Sequence, residues 1–185
     1  MADRVIDVPN ENNVPNMPDE LNHVLVYALN AGRDLLNDGK RLVPFTVLLV
    51  GDSPFTRQHA GASAQECYAM AKHEVEGAVG AKSYAFCYDG YLETNEGMKD
   101  AIIAEGGVPG AETGYAIGYL YTVGDDGKPK VSTTASFIGK APNFMKETGM
   151  SDENKTQQDD STIEKGEALE QENAENFGEP VKGDE

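Results

Sequence analysis

Leu21, Val24, Leu25, Ala28, Leu29, Gly32, Leu35 and Leu36 recur at the three-and-four spacing of an amphipathic helix. Pro18 suits its first turn, where a missing N–H costs nothing, and Asp19 and Glu20 complement the positive end of the helix dipole. Gly39 is a natural stop. Gly32 lies on the apolar stripe, although glycine lowers helix propensity by about 1 kcal/mol relative to alanine. A close backbone contact there would account for it. A second helix is expected to open at Ser63, with Glu66 three residues later in a capping-box pattern. Its stripe is Ala64, Cys67, Ala71, Val75 and Ala78, and Gly80 closes it. Side chains this small imply close packing against a sheet.

Elsewhere the period changes to two. Phe45, Val47 and Leu49 alternate with Thr46, Leu48 and Val50 in a strand expected over 42–50 that is largely apolar on both sides, with Pro44 restricting its start. Gly51-Asp52-Ser53-Pro54 turns the chain, and 55–59 returns as a short second strand. Tyr84, Phe86 and Tyr88 alternate with Ala85, Cys87 and Asp89 over 83–91. After a turn at Asn95-Glu96-Gly97, a strand is expected over 100–105 and a loop over 106–110. Tyr115, Ile117, Tyr119, Tyr121 and Val123 then alternate with Ala116, Gly118 and Leu120. Gly124-Asp125-Asp126-Gly127 is a strong hairpin turn, and 131–138 returns as one strand. Pro142, Phe144 and Met145 are placed to dock on the body.

The order α-β-(β)-α-β-β-β-β predicts an α+β fold: two layers, a mainly antiparallel sheet, and two helices packed on one face. The organisation expected is an irregular leader over 1–16, a single domain over 17–150 and a disordered acidic tail over 151–185. Across roughly residues 17–140 the element order resembles that of the small roadblock and profilin-like modules. That resemblance implies a scaffold or regulatory module and transfers no residue roles.

Charge sharpens this picture. The chain of 185 residues has a net charge of −17, and the segment 151–185 holds 12 acidic residues against 3 basic ones. Few apolar residues at such charge is the composition of disorder. No basic run is present, so nucleic acid is not an expected partner, since phosphate binding depends on Lys and Arg. The same sign disfavours anionic lipid, and no stretch approaches the roughly 20 apolar residues of a transmembrane helix. With only Cys67 and Cys87, and no apolar signal at the N-terminus, a cytoplasmic location is expected.

Candidate chemistry is sparse. His59, Cys67, His73 and Cys87 lack the paired spacing of a zinc site, so neither metal nor cofactor is expected. His59 with Cys87, Asp89 or Asp100 is the catalytic constellation to consider, because such partners need not be close in sequence. Buried thiols are inert, which favours a structural reading of both cysteines. Asp89, Glu93, Glu96 and Asp100 cluster around one turn, but Tyr91 and Glu93 break the calcium-loop pattern. Tyr115, Tyr119 and Tyr121 either fill the core or form a binding face, with core favoured because aromatics are strand formers.

The leading expectation is a non-catalytic protein-binding or regulatory module acting on a basic partner, possibly self-associating through a sheet edge or tyrosine-rich face. An immunity-type protein, covering a basic site with acidic surface, is one version. A small enzyme using His59 and a structural or packaging component are the rivals.

Overall fold

The structure is a computed structural model, and it describes residues 16–148. The expected leader, Asn16 apart, and the expected tail lie outside those residues. Helix α1 spans Asp19–Asn37 and α2 spans Ala64–Glu76. The strands are β1 Phe45–Val50, β2 Ser53–Gln58, β3 Ser83–Thr94, β4 Gly97–Gly107, β5 Gly114–Val123, β6 Pro129–Val131 and β7 Ser136–Ala141. They form one sheet in the order β2-β1-β3-β4-β5-β6, with β7 also on β5 and every pairing antiparallel. The fold is therefore α+β, with two helices and an antiparallel sheet.

The placement of the helices differs from the expectation of one shared face. Ala85 and Cys87 of β3 pack with Leu25 and Ala28 of α1, whereas Tyr84 and Phe86 pack with Ala71 and Val75 of α2. Successive strand residues point to opposite sides, so the two helices cover opposite faces. The cause lies in the strands themselves. β1 and the first half of β3 are apolar on both sides, and each side needs cover.

Local chemistry sets the elements. Gly32 is buried in α1, and a Cβ there would come within 2.9 Å of Ile102 Cγ2 and 3.1 Å of Leu42 Cδ1. This is the close approach that the glycine implied. At α2 the Ser63 hydroxyl accepts from the Glu66 N–H at 3.1 Å, and Glu66 Oε2 accepts from the Ala62 N–H at 2.7 Å. Both halves of the cap are thus made, the second one residue early.

Two strand expectations are corrected. Gly106 and Gly107 belong to β4 rather than to a loop. A Cβ on Gly106 would overlap the Tyr84 carbonyl oxygen, so glycine here serves close strand approach. The strand expected over 131–138 is two strands, because Ser132 turns its hydroxyl onto Thr134, accepting from its N–H at 3.1 Å and donating to its carbonyl at 3.0 Å. That side-chain turn interrupts the ladder, and β6 and β7 pair with β5 in different registers.

The segment after β7 docks as expected, with Phe144 and Met145 buried. Asn143 fastens it. Its Nδ2 donates to the carbonyls of Val108 at 2.8 Å and Ala111 at 2.7 Å, and its Oδ1 accepts from the Met145 N–H at 3.0 Å. The Tyr84 hydroxyl accepts from the Phe144 N–H at 2.9 Å and donates to the Pro142 carbonyl at 3.2 Å.

Candidate binding surface

Helix α1 covers Ala85, Cys87, Ile102, Ala104, Ile117 and Tyr119, and the same sheet face continues past it uncovered. Alternation puts Asp89, Tyr91 and Glu93 of β3, Met98 and Asp100 of β4, and Tyr121 and Val123 of β5 on this continuation. Tyr91, Asp100 and Tyr121 form one cross-strand row. Tyr91, Met98 and Val123 are 60%, 56% and 57% exposed. Three carboxylates stand among them, and no Lys or Arg projects from these three strands on this part of the face.

The row is braced. The Tyr121 hydroxyl donates to Asp89 Oδ1 at 2.7 Å, reaching diagonally across β4. Partial burial raises the Asp89 carboxyl above its ordinary value; the Tyr121 bond pulls it back, and the Asp100 charge pushes it up again. Tyr121 is raised by burial first and then by its bond to Asp89, so its hydroxyl stays protonated and remains a donor at neutral pH.

Of the three tyrosines singled out on β5, only Tyr121 reaches this surface. Tyr119 is buried, donates to Asn30 Oδ1 at 2.8 Å, and carries the Arg33 guanidinium 5.4 Å from its ring centre. Tyr115 is half-buried beside Phe137, with ring centres 6.1 Å apart. These two fill the core around α1 rather than forming an open face.

His59 lies on the other side of the sheet. It is 3% exposed, and its Nε2 is 3.0 Å from Thr46 Oγ1, a side chain that shares the α2 side with Leu48. Burial lowers its pKa, with Glu74 opposing and Arg57 reinforcing that shift. Cys87, Asp89 and Asp100 project from the opposite face, so the structure brings none of them to His59. Cys87 is wholly buried, its thiol faces the Ala28 carbonyl at 3.6 Å, and burial pushes its pKa far up, which removes the thiolate. Asp89 and Asp100 do come together, with Tyr121 rather than with a base. Among the described residues no group of three or more His, Cys, Asp or Glu side chains is arranged to hold a metal ion. No helix among them is long and apolar enough to cross a membrane.

Sequence reasoning found Asp89, Asp100 and Tyr121, and placed Val123 beside Tyr121, but missed that Tyr91 and Met98 share their face. The signal was available in the period of two, had β3 and β4 been run on to the turn at Asn95.

The outer edge at β2 is guarded. The His59 N–H donates to the Pro44 carbonyl at 2.7 Å, which fixes the hydrogen-bonding parity of the β1–β2 pair. By that parity Pro54, Thr56 and Gln58 turn their backbone groups outward, and Pro54 has no N–H to offer. Proline at an outward position blunts edge-to-edge pairing. The β7 edge carries a register shift opposite Ala116 and Ile117, with Gly139 in a positive-φ conformation. No family model, curated protein or solved structure matches this chain.

Proposed function

We propose that the protein is a non-catalytic, cytoplasmic protein-binding module, and that the bare end of the α1-side sheet face receives a basic segment of a partner protein. The observation carrying this reading is the company kept by Tyr91, Met98 and Val123: three exposed apolar side chains set among Asp89, Glu93 and Asp100. Arg or Lys in a partner would pair with the carboxylates and lay its stem on Met98 and Val123. A guanidinium over the Tyr91 ring would add a cation–π contact. Two buried free thiols, Cys67 and Cys87, support a reducing location. The guarded β2 edge makes this face a better candidate contact than edge pairing.

Calorimetric titration of the full chain with a synthetic peptide alternating Arg and Leu, and with its Glu–Leu counterpart, tests the reading. Saturable binding of the first alone is expected, weakening by about tenfold between roughly 0.05 and 0.5 M salt. Asp89→Asn with Asp100→Asn and Tyr91→Ala should weaken it by at least as much. Unchanged binding in that triple variant would move the contact elsewhere on the acidic chain and overturn the assignment.

A further inference from the structure

The opposite side of the same strand ends is built differently. Two adjoining cavities, about 430 and 290 Å³, share Glu96, Lys99 and Leu120 in their lining. Both approach the scale of small-ligand sites, roughly 300–1,000 Å³. Leu92, Leu120 and Ile138 supply an apolar floor, with Leu92 and Ile138 buried. Ile138 and Leu92 close over Gly118: a Cβ there would lie 3.0 Å from Ile138 Cδ1 and 3.6 Å from Leu92 Cδ1.

The charged lining divides along the groove: Glu93 and Glu96 stand at the turn end, Lys99 is shared, and Lys130 stands at the β6 end. Thr122 pairs with Lys130 across β5 and β6, and Lys99 lies beyond Thr122 on the neighbouring β4, on the same face. Two strand spacings put the two lysine backbones roughly 10 Å apart, within easy convergence of two long side chains. Lys99 meets Glu96 at 3.4 Å, but that carboxylate is 83% exposed and such a pair contributes little. Lys130 has no ion pair among the described residues. Around Thr122, two lysines on one face meet a single lining carboxylate, Glu96, beside an apolar floor, which suits an anion with a hydrophobic body.

We infer that this groove binds a small amphipathic carboxylate, its head between Lys99 and Lys130 and its aliphatic chain over Leu92, Leu120 and Ile138. The lysines and the apolar floor lie on the face opposite the proposed partner surface, with Glu93 and Tyr121 at the rim of both. The two tests alter different residues, so either can fail without the other. Backbone-amide NMR titration of the full chain with sodium octanoate, octanol and inorganic phosphate tests it. Octanoate is expected to give saturable shifts at Leu92, Leu120, Thr122 and Ile138, and Lys99→Gln with Lys130→Gln to weaken it about tenfold. Thermal melting of that variant checks that the fold is retained. Octanol binding as tightly as octanoate, phosphate binding as tightly as octanoate, or no saturable shift would each overturn the inference.

Discussion

Along β3, every residue from 83 to 87 is buried, whereas beyond Asp89 exposed and covered positions alternate. β4 mirrors this, with 101–107 buried and 97–100 partly or fully exposed. The covered half of these strands is enclosed by α1 on one side and by α2 with the Asn143 segment on the other. The far half is bare on the α1 side, where carboxylates stand with Tyr91. On the other side Leu92 is buried with Ile103 and Ile138, and Lys99 and Lys130 stand beside Glu96. The same strands therefore hold the fold together at one end and present chemistry at the other. Substitutions at the two ends should separate accordingly.

The largest separation is expected between two glycines of β4. Gly106→Ala would set a Cβ against the Tyr84 carbonyl, backbone against backbone, and should cost about 3 kcal/mol or more in urea unfolding. Gly97→Ala, in the hairpin at the far end, meets nothing within 4 Å and bears only the strain of φ 102°. About 1 kcal/mol is expected there. Equal losses would abolish the distinction between the halves.

Asn143→Ala tests how the covered half is closed. It removes three hydrogen bonds and leaves the Val108 and Ala111 carbonyls without that donor. A loss of about 2–3 kcal/mol is expected, with faster amide exchange at Met145 and little change at Tyr91. Exchange rising equally at both ends would mean that the ends melt together.

How much of this was legible follows from which signals are local. The α1 stripe, the Ser63 cap and the turns at 95–97 and 124–127 are local, and each was read correctly. Gly32 even announced its close contact. Which face each helix covers is not local, because it depends on the partner of Tyr84 and Phe86, which lies in α2 and Phe144. Gly106 and Gly107 look the same in sequence whether they loosen a loop or admit a neighbouring backbone. The bare surface was half legible, since Asp89 and Asp100 stood out as carboxylates at strand ends. Tyr91 and Met98 did not, because exposure depends on where α1 stops covering the sheet.

His59 gives a test confined to the covered half. Its folded pKa is lowered chiefly by burial, so the folded protein binds fewer protons than the unfolded chain. Its contribution is present above the unfolded value of 6.5 and is lost as pH falls through the lower folded value. The melting temperature should drop between about pH 7.5 and 5.5, and His59→Gln should flatten that slope. Amide shifts at Tyr91 should stay put over the same range. An unchanged slope in the variant would assign the titration to another group.

The smallest stability effect, and the most telling about purpose, is expected at Asp89. Its carboxyl lies above the ordinary 3.8 because partial burial and Asp100 outweigh the Tyr121 bond. A raised folded value means that its stabilising contribution is complete below the unfolded value and is lost as pH rises through the folded one. At neutral pH the charge therefore opposes folding. Asp89→Asn keeps an acceptor for the Tyr121 hydroxyl and removes the charge, so melting at pH 7 should be unchanged or slightly higher. Tyr121→Phe should raise the Asp89 pKa further in a carboxyl NMR titration, and Asp100→Asn should lower it. A carboxylate that the fold would sooner lose is one retained for another reason, and basic-peptide binding is the property that Asp89→Asn should weaken. If the variant melts distinctly lower and binds as before, Asp89 serves the fold, and the far half loses its strongest mark of function.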